Sequence, residues 1–398
     1  MGELVQGCFA NQAGAGWEQP SRSAGGATRW GRERRLWWLL WSRCPGVGWV
    51  RLQALAEACG GDLALAWGWP LQAFAALPAW HAGLLPGLDR FRCRWGADPL
   101  PALGAAGQRV LLPGDAHWPR GFGRTEGVRP PPALWWEGRG SLWPCLARRR
   151  AVAVVGTRRP SPHGLARARA LGQALAAAGW PVVSGLAEGI DAAAHSGCLR
   201  ADGAPVAVLG TPLERVYPRH HGALQAEVAR RGLLISEQPP GAMVRAGHFA
   251  QRNRLLVALA AAVVVVECPP GSGALHSARQ AWRQGLPLWV VPADAGRESA
   301  LGSNRLLGTG ATPLLDPADL IRSIGPGPLA AGRPCPRIDR PPGESGQAQL
   351  LAALGGGAAL EELSQALGED PALLAARLLD LELAGLVRAE PGLRWHPC

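Results

Sequence analysis

The chain has 398 residues with 41 Lys+Arg against 30 Asp+Glu, a formal charge of +11, and is long enough for two or three domains. All 41 basic residues are arginine, a planar fork that grips phosphate and stacks on bases, so the charge favours a polyanionic partner over a small neutral substrate. The 9 cysteines are scattered without a Cys-x-x-Cys pair, no apolar run reaches membrane-spanning length and no signal peptide is visible, so the expectation is a cytoplasmic protein with no zinc or other metal, no disulfide framework, no cofactor and no membrane partner.

Residues 1–30 are rich in Gly, Ala, Ser and Gln without periodicity and read as a disordered tail. Residues 31–98 read as a small helical domain. Leu36 to Trp41 carries an apolar face, Cys44-Pro45-Gly46-Val47-Gly48-Trp49 breaks it, and Val50 to Cys59 resumes a helical pattern ended by Gly60-Gly61. Two helices around a glycine hairpin resemble a helix-hairpin-helix (SAM-like) unit, whose amides approach a DNA phosphate; a plain helical domain with a tight turn fits equally well. Trp67, Trp69 and Trp80 read as core filling. Residues 99–150 form a proline-rich approach segment with Pro130-Pro131-Pro132, Trp135-Trp136 and the basic run Arg148 to Arg150, read as a solvated lead-in.

Between residues 151 and 291, short apolar runs alternate with helix-length segments. The runs are Ala151 to Val155, Pro181 to Ser184, Val206 to Leu209, Leu233 to Ile235 and Val263 to Val266. Strands apolar on both faces and separated by helices predict an α/β fold, a Rossmann-like doubly wound parallel sheet within a domain at 99–325. Its ligand is expected beyond the carboxyl ends of the strands. Residues 326–344 read as a Gly/Pro linker and 345–398 as a separate unit of three helices and a two-stranded wing, resembling a winged helix. Its third helix starts at Asp370-Pro371 and offers Arg377 against Asp370, Asp380 and Glu382, which favours a protein contact at least as much as base reading.

Candidate site residues fall in the turns after the strands. Gly156-Thr157-Arg158, with Ser161 before the helix, presents amides and a cation to an anion. It is neither a dinucleotide-binding glycine loop nor a Walker loop, which disfavours nucleoside triphosphates. Ser184-Gly185 opens the second turn. Asp191 and His195 follow, but Ser, Asp and His here match no hydrolase elbow, so Asp191 reads as a helix cap and His195 as an anchor. Tyr217 is the only tyrosine, placed to stack on a base or to pack a loop. Arg252, Asn253 and Arg254 open a helix; the two arginines point to different faces, one suited to a phosphate and one to an acidic neighbour. Gly271-Ser272-Gly273 forms a second phosphate-sized turn.

The set Val-Gly-Thr-Arg, Ser-Gly-Leu-Ala-x-Gly-Ile-Asp, Val-Leu-Gly … Tyr-Pro, Ile-Ser-Glu, Phe-x-x-Arg-Asn-Arg and Val-Glu … Gly-Ser-Gly-Ala resembles the DNA-processing protein DprA (Smf) family over roughly residues 99 to 325. The resemblance implies a non-enzymatic, homodimeric protein of natural transformation. Such a protein binds and protects incoming single-stranded DNA and loads the RecA recombinase. Carried over, Arg158, Arg252 and Arg254 form the basic pocket, with turn contacts from Gly156, Thr157, Ser184 and Gly185. Glu188 stands where the family is often basic, and Ala293 where a glycine is usual. A rival is the nucleotide phosphoribohydrolase group of the lysine-decarboxylase-like fold, but Ala278 occupies its catalytic glutamate position, leaving no evident acid or base.

Overall fold

The computed structural model describes residues 30–104, 109–122, 129–330, 345–355, 357–383, 387–390 and 394–397. Positions 1–29 of the tail expected at 1–30, and positions 331–344 of the expected linker, lie outside them. The chain divides into two compact units, Met1–Cys335 and Pro336–Cys398. Among the described residues no helix is long and apolar enough to cross a membrane.

The first unit begins with helices α1 (Arg32–Ser42), α2 (Trp49–Ala58), α3 (Leu71–Ala75) and α4 (Leu85–Trp95). The glycine hairpin between α1 and α2 holds Gly46 at φ 81°, a conformation only glycine adopts freely. The tryptophans fill the core: Trp41 meets Trp67 edge-on at 5.5 Å and Trp80 lies 5.2 Å from Phe74. The same cluster takes in Leu112, Ala133 and Trp135, and the Trp38 indole N–H donates to the Pro132 carbonyl at 2.8 Å. The helices are therefore packed onto the edge of the sheet that follows.

The proline-rich segment supplies α5 (Leu100–Gly104), β1 (Val110–Leu111), β2 (Leu134–Gly138) and α6 (Trp143–Ala147), more order than its sequence signalled. The strands β3 (Val152–Val155), β4 (Val182–Ser184), β5 (Pro205–Leu209), β6 (Leu233–Ser236), β7 (Ala262–Val265), β8 (Leu288–Val290) and β9 (Thr312–Pro313) follow. Helices α7 (Pro162–Ala177), α8 (Ile190–Arg200), α9 (Gly222–Arg231), α10 (Ala246–Ala258), α11 (Ala274–Arg283) and α12 (Leu301–Leu307) connect them, and α13 (Pro317–Ile324) comes after β9. The sheet order is β1-β2-β6-β5-β4-β3-β7-β8-β9. β3 to β9 run parallel, and β2 joins β6 antiparallel with Trp135 opposite Ser236. Every residue of β3, β4, β5, β6 and β7 is buried, as a sheet covered on both faces requires.

The second unit holds α14 (Ser345–Leu354), β10 (Ala358–Ala359), α15 (Leu360–Leu367), α16 (Pro371–Leu383), β11 (Val387–Glu390) and β12 (Arg394–Pro397). Its three strands order β10-β12-β11 beside the helices, the expected winged helix. Asp370 caps α16, accepting from the Leu373 amide at 3.3 Å, and Arg377 pairs with Glu369. The expected wing turn at Pro391-Gly392 lies outside the described residues.

Helices α7 and α8 cross at backbone contact. A Cβ on Gly197 would strike the Arg169 carbonyl, and one on Gly172 the Ala194 carbonyl. Gly197→Ala is expected to cost about 1–3 kcal/mol of overpacking, read as a lower urea midpoint. Gly247→Ala, in α10 with open space around it, is expected to hold or raise the midpoint.

Candidate nucleic-acid interface

β3 and β7 are neighbours in the sheet, yet successive strands run outward from them in opposite directions. The connections leaving their carboxyl ends diverge, which opens a crevice at this switch point. The crevice holds about 850 Å³. Gly156, Thr157, Arg158 and Arg159 after β3 form one wall. Phe249, Arg252 and Asn253 of α10 and the turn from Pro269 to Gly273 after β7 form the others.

The N-terminus of α7, expected to face an anion, already holds one. Glu267, buried at the end of β7, accepts from the Ser161 amide at 3.2 Å and the Ser161 hydroxyl at 2.8 Å. Ser299 donates to the same carboxylate. Ser161 Oγ in turn caps Gly164 N at 3.0 Å, and a Cβ at Gly164 would run into Glu267. The carboxylate takes the place a phosphate has at such a helix end. Ser161 is thereby engaged as an internal cap of α7.

The β4 turn is also turned inward. Ser184 is fully buried, its Oγ donating to the Val154 carbonyl at 2.6 Å. The Gly185 amide donates to Asp191 Oδ2 at 3.1 Å. Arg252 reaches from α10 across Gly185 and donates to the carbonyls of Gly185 at 2.6 Å and of Val208. A side chain at Gly185 would overlap that guanidinium. The glycine's role here is to admit Arg252, and neither Ser184 nor Gly185 presents a free donor to the crevice. Asp191 lies in the first turn of α8; burial raises its pKa while the Arg252 charge works to lower it. Burial lowers the Arg252 pKa, which Asp191 opposes. His195 is fully buried, and desolvation pushes its pKa down to about 3, so the imidazole is neutral.

What faces outward is a cationic and aromatic rim. Arg158 is exposed, its guanidinium 5.7 Å from the Phe249 ring centroid, and Phe249 in turn lies 4.7 Å from Tyr217. Tyr217 is 46% exposed. Thr157 Oγ1 accepts from the Arg159 amide at 3.2 Å, which tightens the turn. On the opposite wall Asn253 donates to the Gly273 carbonyl at 3.1 Å, and Gly271 is exposed at φ 78°. Ser272 Oγ accepts from the Ala274 amide at 3.3 Å. Of the expected residues, Gly156, Thr157, Arg158, Arg252, Asn253, Gly271 and Ser272 converge on the crevice. Arg254 does not: it binds Glu237 at 2.5 Å and lines a different cleft. The spacing of two residues that separates its face from that of Arg252 is the cause.

Sequence reasoning did not assign Glu267 or Phe249. The signal for Glu267 is an acid immediately after a buried apolar strand, a place where an unpaired carboxylate is costly. For Phe249 it is an aromatic three positions before Arg252, on the same helix face. Ala278 is fully buried in α11, so no carboxylate stands at the position where the rival hydrolase chemistry needs one.

Removing Arg252 takes a charged donor from two buried carbonyls and leaves Asp191 without its neighbouring charge. Arg252→Ala is expected to destabilise by about 3 kcal/mol or more, whereas Arg158→Ala stays within about 0.5 kcal/mol of wild type; urea denaturation separates them. His195 contributes stability that is complete above its unfolded pKa of 6.5 and is lost as pH falls from there toward 3. Between pH 7 and pH 5 that loss is up to about 2 kcal/mol. The His195→Leu variant is expected to lose this part of the slope; an unchanged slope assigns it elsewhere.

The family model described as DNA recombination-mediator protein A matches residues 109–325, and that of the DprA winged helix domain matches 336–392. Protein Smf of Synechocystis sp. is 33% identical over 396 residues, covering 91% of this chain and 98% of that protein. A putative DNA processing protein DprA of Mycobacterium tuberculosis is 35% identical over 330 residues, 80% of this chain and 83% of its own. The crystal structure of DNA processing protein A from Streptococcus pneumoniae shares the fold with a TM-score of 0.60 at 24% identity, over 73% of this chain and 97% of that one. A sheet matched along its whole length, a winged helix and a relative aligned nearly end to end lead to one assignment: the chain belongs to the DprA (Smf) family of DNA-processing proteins.

Proposed function

We propose that this protein binds single-stranded DNA in the crevice between the β3 and β7 turns. The observation that carries the reading is the rim, where an exposed arginine, Arg158, lies beside Phe249 and Tyr217 at the mouth of an open crevice. Guanidinium for phosphate and aromatic faces for bases are the two elements of sequence-tolerant single-strand binding. In this reading the backbone runs along Gly156, Thr157 and Arg158 on one side and Gly271, Ser272 and Asn253 on the other. Arg252, Ser184, Gly185 and Ser161 hold these turns in place from behind. Sequence preference is weak, because turns and arginines contact backbone and not base edges.

Family membership supports extending this to a cytoplasmic, homodimeric protein of natural transformation that protects incoming strands and hands them to the RecA recombinase. It supports, too, a division into a helical domain at 31–98, the Rossmann-like domain at 99–325 and the winged helix at 345–398. We read the protein as a binding protein and not a catalyst. The deep carboxylates Asp191 and Glu267 are both engaged in holding loops, and Ala278 offers neither acid nor base.

Fluorescence anisotropy of labelled oligo-dT and its duplex across three salt concentrations tests this. The single strand is expected to bind more tightly with a marked salt slope, and Arg158→Ala to flatten that slope by roughly 0.7. Equal affinity for both DNAs, or an unchanged slope in the variant, contradicts it.

A further inference from the structure

A second cleft lies on the far side of α10, where the helical domain meets the sheet. It holds about 440 Å³ and is lined by Gly48, Trp49 and Arg51 of the hairpin and α2, by Arg129 before β2, and by Gln251 and Arg254 of α10. Three guanidiniums from three separate segments therefore line one cleft, with Glu237 as the acid among the lining residues. Arg51 braces the hairpin by donating to the carbonyls of Gly46 and Ala79 at 2.5 and 2.8 Å. Arg254 donates to Glu237 through Nη2, while its buried Nη1 has no acceptor among the described residues. A buried donor without an acceptor is costly, and Glu237 offsets only one of the three cations. Trp49 is half-buried and Val50 is 40% exposed at the same place, so the cleft combines cations with apolar surface.

Helix α10 relates the two sites. Phe249, Arg252 and Asn253, spaced i, i+3, i+4, line the crevice, whereas Gln251 and Arg254, spaced i, i+3, line the second cleft. One helix, about 10–12 Å across, is the ridge between them, a distance a few nucleotides of an extended strand can cross.

We infer that this cleft is a second phosphate-contact site, which takes the continuation of the single strand that leaves the crevice over α10. The inference rests on the crevice being the first site. A planar guanidinium from the helical domain and one from the sheet domain then clamp the same backbone. The helical domain thereby lengthens the binding site instead of recognising a separate duplex.

The test uses the full-length protein and two labelled oligo-dT probes, of about 6 and about 16 nucleotides, spanning the usual range of single-strand site sizes. Arg129 is exposed, so Arg129→Ala is not expected to disturb folding. It should weaken the long probe about fivefold near 0.1 M salt, as the loss of one phosphate contact at a slope of 0.7 implies, and leave the short probe unchanged. Arg129→Glu should weaken the long probe further. Wild-type affinity of both variants for the long probe, or an equal loss on both probes, overturns the inference. Arg158→Ala distinguishes the parent reading: if it binds both probes as wild type does, the crevice reading falls, while the Arg129 variants still decide the second cleft.

Discussion

The structure turns on one buried guanidinium. Arg252 leaves α10, passes over a glycine that has no side chain to obstruct it, and ends on the carbonyls of Gly185 and Val208 with the Asp191 charge nearby. Burying a cation is expensive, and the return in stability is small unless every donor finds an acceptor. Its yield is position. The β4 turn, the end of β5 and the start of α8 are all referred to α10 by this one group. Phe249 and Asn253, three residues before it and one after, are set by the same anchor. The aromatic rim and the contact to the Gly273 turn therefore inherit their geometry from a residue that presents no free charge to solvent.

A second internal charge decides what the crevice can hold. In a nucleotide-binding member of this fold class, the first helix after the first parallel strand receives a phosphate. Here the helix end is satisfied by Glu267 and Ser161. A ligand must therefore lie further out, across the turns and against the exposed arginine. That suits a polymer lying in an open trench better than a mononucleotide buried by its phosphate. The rival hydrolase reading considered from the sequence rests on a different position, where Ala278 stands in place of a carboxylate.

Much of this was legible beforehand. Each of the five apolar runs between Ala151 and Val266 became a parallel strand, since residues buried on both faces leave a simple pattern. The third helix of the winged unit began at its Asp-Pro signal. The antiparallel strand β2 was hidden because five residues following a proline run carry too little periodicity, and its partner β6 is distant in sequence. Within the site, Arg158 could be placed because it directly follows a strand-ending Gly-Thr turn. Arg252 and Arg254 could be separated into two faces, but not assigned to their surroundings. That depended on Gly185 and Glu237, which approach only through the fold. Ser184 looked like a donor in a polar turn and proved to be a fully buried tether.

The central claim is that the strand lies across the β3 and β7 turns. Hydrogen exchange of backbone amides with and without saturating oligo-dT addresses it without altering the protein. The account predicts added protection at the amides of Gly156 to Arg159 and of Gly271 to Ala274, on opposite walls of the crevice. Unchanged exchange in both turns, with protection confined to the winged unit between Val387 and Pro397, would contradict it.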